Sequence, residues 1–168
     1  YYRMYRHHLF DTYKGVILME NKKLLEEIRS YWNNRADGYS RVNQEELHSE
    51  QKEKWKEVLL EQLPKKEKDQ VQILDIGTGP GFFAILLAEE GYQVTAVDYT
   101  EQMLQEAKSN AADLADQISF KRMDAQNLEF PKETFDYIVT RNVTWNLEHP
   151  KRAYREWQRV LKPEDPEF

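Results

Sequence analysis

A doubly wound α/β domain, with a parallel sheet flanked by helices, is the fold class this sequence predicts. Three observations carry it. Between residues 71 and 161, short apolar runs alternate with segments whose apolar residues recur at helical spacing, the pattern of repeated strand–helix crossovers. A glycine cluster, Gly77-Thr78-Gly79-Pro80-Gly81, stands at the first strand-to-helix junction. Finally, 168 residues with 40% hydrophobic content suit one compact domain able to bury a core.

The elements follow in order. The opening twenty residues are rich in Tyr, Arg and His and show little periodicity. Within them, Gly15 precedes Val16-Ile17-Leu18-Met19, an apolar run that reads either as a buried strand or as the start of a helix. Leu24, Leu25 and Ile28, continued by Tyr31 and Trp32, predict a helix over 21–33. Ala36-Asp37-Gly38-Tyr39 reads as a turn. Leu47, Trp55 and Leu59 predict a helix over 44–62, ended by Pro64. The composition then changes, placing a helical segment at 1–64 and an α/β domain at 65–168. In the latter, strands are expected at 71–76, 93–97, 117–122 and 135–140. Helices are expected at 82–89, 101–113 and 150–161.

Composition excludes several classes of function. With 24 basic and 30 acidic residues the net charge is −6, which disfavours nonspecific binding to nucleic acid or to anionic membranes. The absence of cysteine excludes disulfides, zinc–thiolate sites and a cysteine nucleophile within this chain. The longest strictly apolar run, Phe82 to Ala88, falls far short of the roughly 20 residues of a spanning helix, so a cytoplasmic protein with no membrane partner is expected. The chain opens on Tyr1 rather than Met, which leaves its natural start open. His7-His8 lack metal-ligand spacing, so no metal is expected.

The segment Ile73-Leu74-Asp75-Ile76-Gly77-Thr78-Gly79-Pro80-Gly81-Phe82 carries the most chemistry. A strand delivers the chain to a tight turn, glycines let the backbone approach a ligand, and the next helix presents its free amides there. The spacing differs from a dinucleotide fingerprint, because Phe82 stands where the third glycine should be. The Lys-Ser/Thr ending of a phosphate-cradling loop is missing as well. Asp75, two residues before the first glycine, would repel a pyrophosphate and attract a cationic amino group.

This segment resembles motif I of the class I S-adenosylmethionine-dependent methyltransferases, and the resemblance runs from about Tyr31 to Pro163. It implies a Rossmann-like sheet, S-adenosyl-L-methionine as cofactor, and methyl transfer as the activity. In that family the acid and glycines hold the methionyl part of the cofactor, a role that falls here on Asp75, Gly77, Gly79 and Gly81. Asp98 ends the second strand, where an acid accepts both ribose hydroxyls in similar proteins; an ordinary turn or cap is the alternative. Asp124-Ala125 after the third strand implies contacts to adenine, with an N-cap as its alternative. Arg141-Asn142-Val143-Thr144-Trp145 follows the fourth strand, where the family places cofactor and acceptor contacts. The Asn-Pro-Pro-aromatic signature of base-amino methyltransferases is absent, which favours a small-molecule acceptor over nucleic acid.

Tyr31-Trp32-Asn33-Asn34-Arg35-Ala36-Asp37-Gly38-Tyr39 looks like the opening segment of the small-molecule, type-11-like branch, where it lids the cofactor. Tyr31 and Tyr39 there either face the sulfonium or pack in the core. Arg152, Glu156, Arg159 and Val160-Leu161-Lys162-Pro163 match the family as features of the fold. No residue takes the role of a general base, so the catalytic residue is left unassigned. The family's sheet continues beyond Pro163, whereas Glu164-Asp165-Pro166-Glu167-Phe168 follows here, and an open edge beside the fourth strand is expected. The 15–19 run resembles the family's fifth strand. A noncatalytic cofactor-binding module and, less favoured, a nicotinamide-dependent oxidoreductase remain as alternatives.

Overall fold

The computed structural model describes residues 20–163, with side chains from residue 23 onward. The 15–19 run and the stretch after Pro163 lie outside the described residues. Packing divides the chain elsewhere than composition does: one unit is Tyr1–Tyr31 and the other Trp32–Phe168. The first is represented by helix α1 (Glu20–Asn33), which crosses the division and carries exposed pairs such as Arg29 with Glu26 at 2.8 Å.

The second unit opens with α2 (Ala36–Leu47) and α3 (Glu50–Gln62). Two expectations are corrected here. Residues 36–39 are not a turn but the first turn of α2, where Asp37 favours the positive end of the helix dipole and Ala36 is fully buried. The helix expected over 44–62 is broken at His48-Ser49. Ser49 is an N-cap whose hydroxyl accepts from the Gln51 N–H at 3.3 Å and donates to the Glu46 carbonyl at 2.8 Å.

The remainder alternates as predicted: β1 (Gln72–Ile76), α4 (Phe82–Glu89), β2 (Gln93–Asp98), α5 (Glu101–Ala111), β3 (Ile118–Arg122), β4 (Tyr137–Thr140) and α6 (Pro150–Val160). The four strands form one parallel sheet in the order β3-β2-β1-β4, so the strand order reverses beside β1. Side chains of β1 alternate between two cores. Ile73 packs with Phe83, Leu86, Leu87 and, from α3, Leu59. Leu74 and Ile76 pack with Val97, Phe135, Ala153 and Trp157 on the opposite face. Both faces are therefore covered, which explains why β1 reads as a continuous apolar run.

The outer side of the chain leading into β4 carries one rung of pairing. Phe135 and Leu161 form a parallel bridge, the Phe135 N–H donates to the Val160 carbonyl at 2.9 Å, and the Lys162 N–H donates to the Phe135 carbonyl at 2.8 Å. Beyond this rung, no strand among the described residues covers β4. Among the described residues, no helix is long and apolar enough to cross a membrane.

Candidate cofactor-binding site

In an open parallel sheet, ligands bind outside the carboxyl ends of the strands where their order reverses. Here that is the end of β1, between β2 and β4. The chain leaves β1 into the glycine loop, whose Gly77 and Thr78 N–H groups both donate to the Val97 carbonyl, at 2.8 and 3.0 Å. Gly77 and Gly79 have φ of +66° and +54°, in the left-handed region that favours glycine. A Cβ on Gly77 would come within 2.1 Å of Val143 Cγ2, so the loop after β4 lies directly against this glycine. A Cβ on Gly79 would meet nothing within 4 Å. Gly81 is packed instead: its Cβ would press on Ala107 of α5 at 3.1 Å. Of the three glycines, one seats the β4 loop, one seats a helix, and Gly79 alone borders open space.

Two acids hold the loop from below. Asp75 is buried on the α4 side of β1 and accepts from the Thr78 hydroxyl at 2.6 Å and from the Ala84 N–H. Burial pushes its carboxyl up to about 7, against the lowering effect of those donors and with a further raising effect from Asp98. Asp98 accepts from the Gly79 N–H at 2.9 Å and the Thr100 N–H at 2.8 Å, and burial raises its carboxyl as well. Thus Asp98 is both the end of β2 and a direct support of the open glycine.

Asp124 closes an Asx turn: its Oδ1 accepts from the Gln126 N–H at 2.8 Å, and its carbonyl accepts from the Asn127 N–H at 2.9 Å. The turn hangs from α6. Trp157 Nε1 donates to the Ala125 carbonyl at 2.8 Å, and Glu156 accepts the Leu128 N–H at 3.1 Å. Arg159 donates to the carbonyls of Leu128 and Phe130 at 2.9 and 2.7 Å. The family-like residues of α6 therefore fix the loop after β3.

The side chain of Arg141 is engaged within the chain. Its guanidinium forms a two-pronged pair with Glu46 of α2, both bonds at 2.9 Å, and lies over the rings of Phe82, Trp55 and Phe83 at 5.0 to 5.8 Å. A cation held this way fastens α2 to the end of β4. Asn142 is exposed with φ +59°, a conformation Asn tolerates, and it turns the chain so that Val143 reaches Gly77. Tyr31 belongs to the first unit. Tyr39 stands edge-on to Trp32 at 5.2 Å, and Trp32 in turn to Trp145 at 6.1 Å.

Several supporting residues escaped the sequence reading. Thr140 Oγ1 donates to the Ile76 carbonyl at 2.8 Å and ties the ends of β1 and β4. Asn43 and Asn110 both donate to the Pro80 carbonyl. Their signal was a polar and small stripe, Ala36, Ser40 and Asn43, at helical spacing on α2; a search for apolar periodicity passes over it.

A glycine turn bordering open space, an acid beneath it and an Asx turn across the switch point define a Rossmann-like domain of the nucleoside-cofactor type. The chain belongs to the methyltransferase domain family, whose model matches residues 74–165. It is similar to the ubiquinone/menaquinone biosynthesis C-methyltransferase UbiE of Rickettsia bellii, 30% identical over 144 residues, covering 81% of this chain and 56% of the relative. It is also 36% identical over 105 residues to the biotin biosynthesis bifunctional protein BioHC of Cellvibrio japonicus, covering 62% of this chain and 20% of the relative. A crystal structure from Methanococcus maripaludis, solved as a candidate S-adenosyl-L-methionine-dependent methyltransferase, superposes with a TM-score of 0.69 at 26% identity, over 77% of this chain and 59% of that one. The chain thus spans between a fifth and about three fifths of the length of these matches.

Proposed function

We propose that this chain is the cofactor-binding body of a cytoplasmic methyltransferase that moves the methyl group of S-adenosyl-L-methionine to a small-molecule acceptor. The observation that carries the reading is the open space over Gly79, whose N–H is held on Asp98 at the switch point. The residues fit the cofactor: a Cβ at Gly79 would fill the cradle, and the acids beside it suit a ligand rich in donors and positive charge.

In this reading Asp98 accepts the ribose hydroxyls, Asp124 the adenine amino group, and the Ala125 N–H donates to the ring. Gly77, Gly79 and Gly81 let the methionyl part approach, and the field of Asp75 favours its ammonium. Asn142 and the Arg141 backbone border the same mouth. When bound, S-adenosyl-L-methionine supplies a methyl carbon already activated by its sulfonium. The chain's own work is then to orient that ligand and exclude water. Trp32, Tyr39 and Trp145 form an aromatic cluster, and in this reading it walls the acceptor side, which suits an apolar or planar small molecule. The names of the quinone- and biotin-pathway relatives and the net charge of −6 support a small acceptor over nucleic acid.

The test is a melting series with S-adenosylmethionine, S-adenosylhomocysteine and NAD. A ligand at a hundred times its dissociation constant stabilises the native state by about 2.7 kcal/mol. Both sulfur ligands are expected to raise Tm and NAD to leave it unchanged; a rise with NAD alone would overturn the reading.

A further inference from the structure

The tip of the glycine loop is restrained from every side. The Gly79 N–H goes to Asp98, the Gly81 N–H goes to the Thr78 carbonyl at 2.9 Å, and Pro80 has no N–H to give. Beside these lies the Pro80 carbonyl. It accepts two side-chain amides from two different helices, Asn43 Nδ2 of α2 at 3.3 Å and Asn110 Nδ2 of α5 at 3.0 Å.

The Asn110 amide is itself set in place. Its Oδ1 accepts Gln44 Nε2 at 2.8 Å, and its Nδ2 reaches the Ser40 hydroxyl at 3.1 Å, so its donor end is the one aimed at Pro80. Asn43 is buried on the stripe of α2 that otherwise carries Ala36 and Ser40. A buried amide is costly unless bonded, and a single donor would already satisfy the carbonyl. Two donors over-determine the orientation of one peptide, Pro80–Gly81, whose N–H is the Gly81 N–H that donates to the Thr78 carbonyl. Rotating that peptide would break the Gly81–Thr78 bond that closes the turn, and with it the setting of Gly79, whose N–H rests on Asp98.

We propose that Asn43 and Asn110 are positioning residues for cofactor binding, holding the Pro80 carbonyl so that the turn keeps Gly79 open over Asp98. This rests on the reading that the turn receives S-adenosyl-L-methionine. The two amides touch no ligand themselves; they act through Pro80. Because either one satisfies the carbonyl, their losses are coupled.

The experiment measures S-adenosylhomocysteine affinity by calorimetry on folded Asn43→Leu, Asn110→Leu and the double variant, each close in size to the original but without the donor. Each single change is expected to weaken binding about threefold, the scale of one neutral hydrogen bond, and the double change about thirtyfold or more. Leu59→Ala, a core truncation in α3 away from the loop, lowers Tm yet is expected to hold affinity within about twofold, since affinity is read on the folded protein alone. A folded double variant with unchanged affinity overturns the proposal, as does an equal loss in Leu59→Ala. Should the double variant fail to fold, the single variants decide, and unchanged affinity in both overturns it. If the wild-type chain does not bind S-adenosylhomocysteine, the cofactor reading fails separately. The positioning claim is then read from amide exchange at Gly79 and Gly81, expected to quicken at least about tenfold in Asn110→Leu, and no change would overturn it.

Discussion

At the amino end of the sheet, Asp136 is ringed by Lys162 Nζ at 2.8 Å, Lys66 Nζ at 3.2 Å and the Gln72 N–H at 2.9 Å. At the carboxyl end, Asp75 and Asp98 face a threonine hydroxyl and backbone amides. The consequence is opposite in sign. Burial works to raise all three carboxyls, but the Lys162 bond, the Gln72 amide and Lys66 carry Asp136 below its ordinary value, whereas Asp75 and Asp98 stay above theirs. One end of the sheet balances its buried charge within the chain. The other holds its two carboxyls on a hydroxyl and backbone amides, the arrangement expected where stability is given up for a ligand.

Four changes would break or sharpen that contrast. The largest effect is expected from Gly79→Val. With φ +54° and nothing within 4 Å of its Cβ, it should lose a modest part of the fold's stability but most of the ligand's space. We expect a backbone strain of about 1–2 kcal/mol in melting experiments and a fall in S-adenosylhomocysteine affinity of at least about a hundredfold. Normal binding would reduce the loop to an ordinary turn. Asp98→Ala comes next, removing a charged acceptor; about 1.5–3 kcal/mol, or tenfold and more in affinity, should be lost by calorimetry.

Asp136→Asn is the counterpart at the other end. It should cost about 1–3 kcal/mol of stability in urea titration while leaving ligand affinity untouched; a loss of affinity there would erase the contrast. The sign of the pH dependence follows from the depressed carboxyl. Its contribution is complete above the unfolded value of 3.8 and disappears as pH falls through the lower folded value, so Asp136→Asn and wild type should converge in acid.

The smallest effect is expected from Asp75→Asn. A carboxyl raised from 3.8 to about 7 stabilises the fold in its protonated form, so its contribution declines as pH rises between those values. Ligands with an ammonium should profit from the ionised form. S-adenosylhomocysteine is therefore expected to bind wild type several-fold better at pH 8 than at pH 6, about 1 kcal/mol. Asp75→Asn should flatten that rise, and methylthioadenosine, which lacks the amino-acid tail, should show none of it. Equal weakening of both ligands would mean that Asp75 only holds Thr78 and α4.

Much of this was legible in the sequence because it is local. The alternation from 71 to 161 and the glycine spacing announced β1, α4 and the position of the loop, and the same rule placed Asp98 at the end of β2. What stayed hidden depends on partners far along the chain. The position of Arg141 could be read, but not that Glu46 would take its guanidinium. Asp37-Gly38 carries turn chemistry, yet burial of Ala36 and Ser40 draws the segment into a helix. Asn43 and Asn110 are unremarkable until α2 and α5 meet over Pro80.

The reversal of strand order beside β1 also has a consequence in time. β1, β2 and β3 pair with successive neighbours through short crossovers, whereas β4 must return to β1 across that entire stretch. Longer closures are entropically dearer, so the glycine loop and Asp98 are expected to take shape before β4 docks. The turn at Asp124 hangs from α6, which follows β4 in the chain. During synthesis the half of the mouth built on the glycine loop and Asp98 would thus mature first, and the half built on the Asp124 turn would close it.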